Sequence, residues 1–423
     1  MKILNISSLY PPNVIGGAEQ AVASLASGLR NMGHDIEVLT LGEPSSPSKK
    51  YEINGVKVTT LALKNIYWPF STGPKCKSKP NNFLRLLWHI LDISNRQMAS
   101  AVINEIKIKK PDVVLTHNFQ GFSTAIWPAI RKLGIPVVHT LHDFSLLCPR
   151  TILYKNGKNC EHGGDRCTDC RMLSSVKFLH SQAITEIVGV SGAVVSLHQK
   201  HGLFKEIPVH VIHNSIQDSQ LPNLRDRAPS LTSLEEGKVR VAKFGYLGRI
   251  LKSKGFEVLL KALSRFPQAT VELMVAGVMD DEYREELRQK YDLKNVTFLG
   301  FIKPEILFNQ IDVLIFPSEA LEALGNGVFE AYFHGLPVIG SNMGGIPEMI
   351  DEGLTGCVFP SGDDASLYQK MKLFVDDVEL ATSMKVQVIK KAEQFLLKDR
   401  VARYEEVIAG LVDVRAKQFQ AEI

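Results

Sequence analysis

The sequence predicts an α/β protein of two doubly wound parallel-sheet domains, and three observations carry that expectation. Its 423 residues are too many for one ordinary core and suit two domains of near-equal size. Short β-rich runs alternate with helical patterns, the order of parallel βαβ units. After Asn214 the alternation starts afresh, beyond a polar, Pro-bearing stretch at 217–236 that has no apolar period and reads as a linker or edge loop.

In the first half a strand is expected at 2–7, then a helix over 18–32 with apolar Val22, Leu25, Ala26 and Leu29 on one face. A strand at 112–116, a helix at 122–133 and a strand at 136–140 follow. The second half gives a strand at 240–246, a helix at 255–264, a strand at 270–276 and similar alternation through 312–316. From 365 to 418 the spacing of Leu367, Met371 and Phe374, and of Val401, Tyr404 and Val407, describes amphipathic helices. The expected divisions are 1–214, 215–400 and a last helix at 401–423. No fixed-period repeat or low-complexity segment occurs, which excludes a solenoid.

Hydrophobic residues make up 45% and charged residues 22% of the chain, which excludes disordered and collagen-like classes. No run of about 18 uncharged apolar residues appears, so no membrane span is expected. The start, MKILNISSLYPP, lacks the apolar core and cleavage site of a secretory signal and reads as a first buried strand. A cytoplasmic protein is the expectation. Residues 1–213 carry 24 Lys and Arg against 14 Asp and Glu, and the remainder 25 against 31. The basic first half suits an anionic partner, either a phospholipid surface or a lipid-pyrophosphate acceptor, and peripheral attachment to a membrane. Nucleic acid is not expected, because no dense basic run interleaved with aromatics is present. Around 82–108, Phe83, Leu86, Leu87, Trp88, Ile90 and Leu91 are flanked by Lys75, Lys77, Lys79, Arg85, Lys107, Lys109 and Lys110. Such a stripe is more often packed on its own sheet than laid on a membrane, and both readings stand.

Three segments carry candidate chemistry. Between Pro317 and Pro360, Glu322 and Glu330 bracket a turn containing Gly325, Asn326, Gly327 and Val328 ahead of a helix. A glycine turn opening a helix offers backbone amides and the positive dipole end to a diphosphate. A carboxylate on either side accepts bonds from hydroxyls. Taken alone, two glutamates eight apart read as solvated helix-face charges. Arg249 closes a strand and Lys254 opens the next helix, so both charges fall at one sheet edge, where a planar fork and a mobile ammonium complement phosphate. Near the start, Gly16 and Gly17 sit in a strand-to-helix loop on the binding edge of an open sheet, a loop that reads equally as a plain tight turn. No Asp-x-Asp pair, the usual holder of a divalent ion against a diphosphate, occurs anywhere.

In order along the chain, Pro12-x-x-x-Gly16-Gly17-x-Glu19 near the start, G-R-x-x-x-x-K-G, E-x7-E, the Pro-Val strand and Gly344-Gly345-x-x-Glu348 resemble the signature of family 4 (group 1) retaining glycosyltransferases. The likeness is strong over 240–359, moderate over 1–40 and 112–142, and poor over 43–110. It implies a GT-B fold, two Rossmann-like domains facing a cleft, with the last helix crossing back to the first. It further implies transfer of a hexose-type sugar from a UDP- or GDP-linked donor to a glycan or lipid-linked acceptor, as in surface polysaccharide or lipopolysaccharide synthesis. Configuration would be retained and no metal required. On that reading Glu322 lies beside the transferred sugar and Glu330 holds the ribose. Arg249 and Lys254 draw off the diphosphate, the 325–328 turn and Gly16-Gly17 contact the donor, and His117 stands by the sugar. By itself, a histidine just after a strand is more often a structural hydrogen-bonding group. Ser191 and Asn214 fall at cleft-edge positions. Leu324 replaces the family's usual aromatic. The alternatives are a sugar-nucleotide epimerase or hydrolase, and a non-catalytic scaffold of the same fold.

Four of six cysteines crowd one insertion, about 143–172: Cys148, Cys160, Cys167 and Cys170. Cys167-x-x-Cys170 is a metal knuckle, and Cys148 and Cys160 complete a set for structural zinc in a segment poor in core residues. Free thiols or an iron–sulfur cluster are the other readings, with His142 and His162 as substitute ligands. A disulfide framework does not suit reducing cytosol.

Overall fold

The computed structural model describes residues 1–70, 80–160, 168–216, 241–267, 270–377 and 379–421. The chain divides into two units. One comprises Met1–Leu153, Glu161–Ser215 and Leu397–Ile423, the other Tyr154–Cys160 and Ile216–Leu396.

The strands of the first half are β1 (Lys2–Ile6), β2 (Asp35–Gly42), β3 (Lys50–Ile53), β4 (Val56–Ala62), β5 (Val113–Thr116), β6 (Val137–Leu141), β7 (Tyr154–Lys155), β8 (Lys158–Asn159), β9 (Glu186–Gly189) and β10 (Val209–Val211). All but β7 and β8 join one eight-stranded sheet in the order β10-β9-β6-β5-β1-β2-β4-β3. Only β3 pairs antiparallel. The middle strands of this sheet are mostly apolar and buried on both faces, as VVLT in β5 and VVHTL in β6. Strand order reverses between β1 and β5, which makes the carboxyl ends of those two strands the switch point where ligands of open sheets bind.

The last helix, Leu397–Ala421, completes this unit from four residues ahead of the expected start. Val401, Tyr404 and Ile408 enter the same core as Val22, Leu25 and Leu29 of the helix Gly17–Asn31. Contact is close enough that a Cβ on Gly28 would lie 2.3 Å from Val401 Cγ2. The Tyr404 hydroxyl meets Thr140 Oγ1 at 3.0 Å and ties the helix to β6.

In the second unit β11 (Ala242–Leu247), β12 (Val271–Ala276), β13 (Val296–Gly300), β14 (Val313–Phe316), β15 (Val338–Ser341) and β16 (Gly356–Phe359) form an all-parallel sheet ordered β13-β12-β11-β14-β15-β16. Here the reversal falls between β11 and β14. The antiparallel β7–β8 hairpin also belongs to this unit, so the expected insertion at 143–172 is split between the two. The physical reason is Asn159: its amide donates to Glu319 O at 2.6 Å and its Oδ1 accepts from Leu321 N at 3.2 Å.

The commoner reading of the apolar stripe fails. On the helix Asn82–Ile93 only Trp88 and Asp92 are buried, with Trp88 Nε1 donating to Tyr67 O at 3.0 Å. Phe83, Leu84, Leu86, Ile90 and Leu91 are exposed, Phe83 to 72%. Lys75, Lys77 and Lys79 lie outside the described residues. Among the described residues no helix is long and apolar enough to cross a membrane.

Candidate active-site elements

In the second unit the loops after β11 and β14, the two strands flanking the reversal, are packed backbone against backbone. Ser253 O accepts from Glu319 N at 3.0 Å and Ala320 N at 2.8 Å. Gly255 has φ of +69°, and a Cβ there would sit 1.8 Å from Pro317 O, so only glycine permits this approach. A third loop closes from the other side. Gly345 N donates to Glu322 O at 2.9 Å, and Gly344, at φ +60°, would place a Cβ 1.9 Å from that same oxygen. Lys254 and Glu322 therefore meet: Lys254 Nζ lies 2.5 Å from Glu322 Oε1, which also accepts from Ser318 Oγ at 2.8 Å. Arg249 stands exposed beside them, its carbonyl accepting from Tyr246 Oη at 2.8 Å, and its guanidinium forms no ion pair among the described residues.

The helix Asn326–Phe333 opens from Gly325, whose φ of +96° is left-handed, and no side chain caps its first turn. Asn326 and Gly327 hold that turn while Val328 is already buried and bonded to Gly325 O. One turn on, Glu330 is half-buried and has no hydrogen bond or ion pair among the described residues. Burial, with Glu305 adding to it, pushes its carboxyl up to about 7. Its carboxyl group is thus left without a partner among the described residues.

In the first unit Gly16 and Gly17 open the helix Gly17–Asn31, which follows β1 after the loop 7–16, and are exposed. Gly16 takes an extended backbone that any residue adopts, and its N–H donates to Glu19 Oε2 at 2.8 Å. Glu19 Oε1 accepts from Asn118 at 3.2 Å, which ties this loop to the one after β5. His117 is 1% exposed. Its Nε2 bonds Asn5 Oδ1 at 3.0 Å and its Nδ1 meets His142 Nε2 at 3.1 Å. Both ring nitrogens are thus engaged, and burial first, then His142 and Arg400, holds its pKa well below the usual range. His117 is thus a neutral, buried link between Asn5 and His142. Ser191 caps the helix Gly192–Lys200 through Val194 N, and Asn214 is buried.

The Cys148 and Cys170 sulfurs are 4.0 Å apart and both residues are buried. The hydrogen bond from Cys170 is the main cause that lowers the Cys148 thiol to about 6. Cys167 and His162 lie outside the described residues, and Cys160 falls with the second unit. Among the described residues no three His, Cys, Asp or Glu side chains gather into a metal site.

Residues 15–220 match Glycosyltransferase Family 4 and residues 236–393 match Glycosyl transferases group 1. An uncharacterized 42.6 kDa protein in the cps region of Klebsiella pneumoniae is 31% identical over 349 residues, 82% of this chain and 87% of that protein. The chain belongs to the group 1, family 4 glycosyltransferases. Solved structures agree on the GT-B fold. Sucrose-phosphate synthase from Thermosynechococcus elongatus superposes with a TM-score of 0.74 at 19% identity, covering 98% of this chain and 99% of that one. Anabaena HepE in complex with UDP-glucose gives 0.66 at 19% identity, over 97% and 100%.

Within this glycosyltransferase, Leu324, where an aromatic was expected, is 2% exposed and packed inside. Sequence reading missed Ser318 and Ser253, which hold the Glu322 loop. Their signal was positional only: Ser253 adjoins Lys254, and Ser318 lies two residues past the end of β14. It also missed Arg400 and Asn5, which no motif marks.

Glu330 yields a stability prediction for the nucleotide-free protein. Its folded pKa stands above the ordinary 4.5, so the cost of ionising it in place is absent below pH 4.5, grows as pH rises to about 7, and is constant beyond. Glu330→Gln is expected to exceed the parent by on the order of 2 kcal/mol in urea unfolding at pH 8, the gain fading toward pH 4.5. An advantage that does not change with pH would remove charge as its cause.

Proposed function

We propose that this glycosyltransferase moves a hexose-type sugar from a UDP- or GDP-linked donor to a glycan or lipid-linked acceptor in building a surface polysaccharide, with retention of configuration. The observation that carries the reading is the meeting of Lys254, Glu322 and Ser318 beside exposed Arg249 at the sheet reversal of the second unit. Arg249 and Lys254 would neutralise the departing diphosphate, and Glu330 would take the ribose hydroxyls. When diphosphate arrives, Lys254 would turn from Glu322 to it, leaving Glu322 free to orient the sugar. The chain's cations perform the role that an Asp-x-Asp-bound ion has elsewhere, so transfer would need no metal. Support for the donor class comes from the Anabaena structure, described as a complex with UDP-glucose. Support for the pathway comes from the cps location of the Klebsiella relative.

The donor is read by thermal unfolding against a panel of nucleotide sugars, UDP and GDP. One selective shift of several degrees, lost in Arg249→Ala and Glu330→Ala, is expected. No shift with any nucleotide would favour a non-catalytic scaffold.

The exposed Phe83, Leu84, Leu86, Ile90 and Leu91, with Arg85 beside them in a basic half, support peripheral attachment to an anionic membrane. In flotation the protein is expected to rise with phosphatidylglycerol vesicles, and Phe83→Ser/Leu86→Ser to stay at the bottom. A parent that also stays down ends this reading.

A structural zinc at the cysteines of the insertion is proposed for stability alone. A separation of 4.0 Å is far beyond a disulfide and close to the edge of a tetrahedron whose zinc–sulfur bonds are about 2.3 Å. Elemental analysis of purified protein should give about one zinc per chain, lost in Cys148→Ser/Cys170→Ser. Protein free of zinc after expression in zinc-supplemented medium rules it out.

A further inference from the structure

Arg400, on the last helix, is 3% exposed. Its Nη1 donates to Ala21 O at 2.8 Å and its guanidinium lies over the Tyr404 ring, 5.5 Å from the centroid. Nε and Nη2, the edge that grips an oxyanion with two parallel bonds, are buried and make no hydrogen bond of ordinary geometry, Tyr404 being the side chain that interacts with the guanidinium. No carboxylate stands within ion-pair distance among the described residues. The nearby Glu19 carboxylate is already engaged by Gly16 N and Asn118. A buried guanidinium with three of its five N–H donors unmet and no counter-charge is a costly arrangement.

The same region holds two further orphan atoms. His142 Nδ1 and Asn5 Nδ2 are buried and unbonded. With Asn5 Oδ1 accepting from His117 Nε2, His117 Nδ1 must accept from His142 Nε2, which leaves His142 Nδ1 a bare lone pair. Arg400 is close enough that its charge depresses both His117 and His142. The strands β1, β5 and β6 deliver Asn5, His117 and His142 to the carboxyl edge of the first sheet. The Tyr404–Thr140 bond fixes Arg400 there, one turn away.

We infer that Arg400, with His142 and Asn5, forms a binding site for a phosphate group in the first unit, separate from the diphosphate loops of the second. The fork takes two phosphate oxygens, the Asn5 amide donates to a third, and His142 Nδ1 accepts the proton of a singly protonated phosphate. A carboxylate would leave the histidine lone pair unmet. The inference does not depend on the sugar-donor reading.

The test uses the full chain carrying Arg249→Ala and Lys254→Ala, which removes the exposed cations of the other unit. Its melting temperature is followed with inorganic phosphate, and in a second arm with glucose 1-phosphate, each against sodium chloride of equal ionic strength. A saturable rise is expected with inorganic phosphate. A rise in the second arm as well shows that the phosphate can be part of a phosphorylated acceptor, and a rise in the first arm alone assigns the site to the free ion. Adding Arg400→Lys, which keeps charge but not the fork, should weaken apparent affinity about tenfold, and His142→Ala should weaken it without removing the guanidinium. No rise in the parent would mean that the orphan atoms are met by water alone. A rise left intact by both variants would equally overturn the assignment.

Discussion

The carbonyl of Glu322 is the point on which the second unit's candidate site depends. It is enclosed by the Gly344-Gly345 turn at contact distance, while Ser253 and Gly255 press the neighbouring loop against 317–320. Three loops thus share one backbone junction, and their side chains have little freedom to be elsewhere. The Lys254–Glu322 pair follows from that junction rather than producing it. Both side chains are part-buried, so the attraction between them is largely offset by the cost of taking the charges out of water, and it does not hold loops that the backbone did not already fix. Gly255 and Gly344 therefore do their work through geometry: each stands where any side chain would collide with a carbonyl oxygen.

The cations of the two units are handled in contrasting ways. Lys254 is neutralised within the protein, and Arg249 is solvated; neither costs much to keep in a ligand-free fold. Arg400 is buried and only partly satisfied, and its partners Ala21 O and the Tyr404 ring carry no negative charge. Such a residue is retained against its desolvation cost, which makes it the more pointed observation although no motif contains it. The neutral Asn5–His117–His142 chain beside it adds no charge that would repel an anion.

The β-runs and helix patterns placed both sheets, because parallel strands buried on two faces are nearly continuous apolar words such as VVLT and VVHTL. The motif glutamates and cations were legible because they recur at fixed offsets from strand ends. What stayed hidden arises from contacts distant in sequence. Gly28 was one helical residue among many until Val401 came to lie against it, and Arg400 was one charge of an amphipathic helix. The apolar stripe at 83–91 was misjudged for the same reason. Periodicity states that a face is apolar and cannot say whether anything is packed on it. His117 was found by position, yet its burial between Asn5 and His142 depends on two other strands.

The Cys-bearing segment shows how a stretch outside the motifs bears on one that carries them. Asn159 bonds the backbones of Glu319 and Leu321, immediately ahead of Glu322. The Glu322 loop is therefore braced on one side by Ser253, on another by Gly344-Gly345, and on a third by the β7–β8 hairpin. The first two braces come from motif segments, and the third from sequence that the motifs do not cover. Because both of Asn159's bonds go to backbone, they place no demand on the residues at 319 and 321. They act on where the loop lies, so whatever orders the hairpin also sets the position of Glu322.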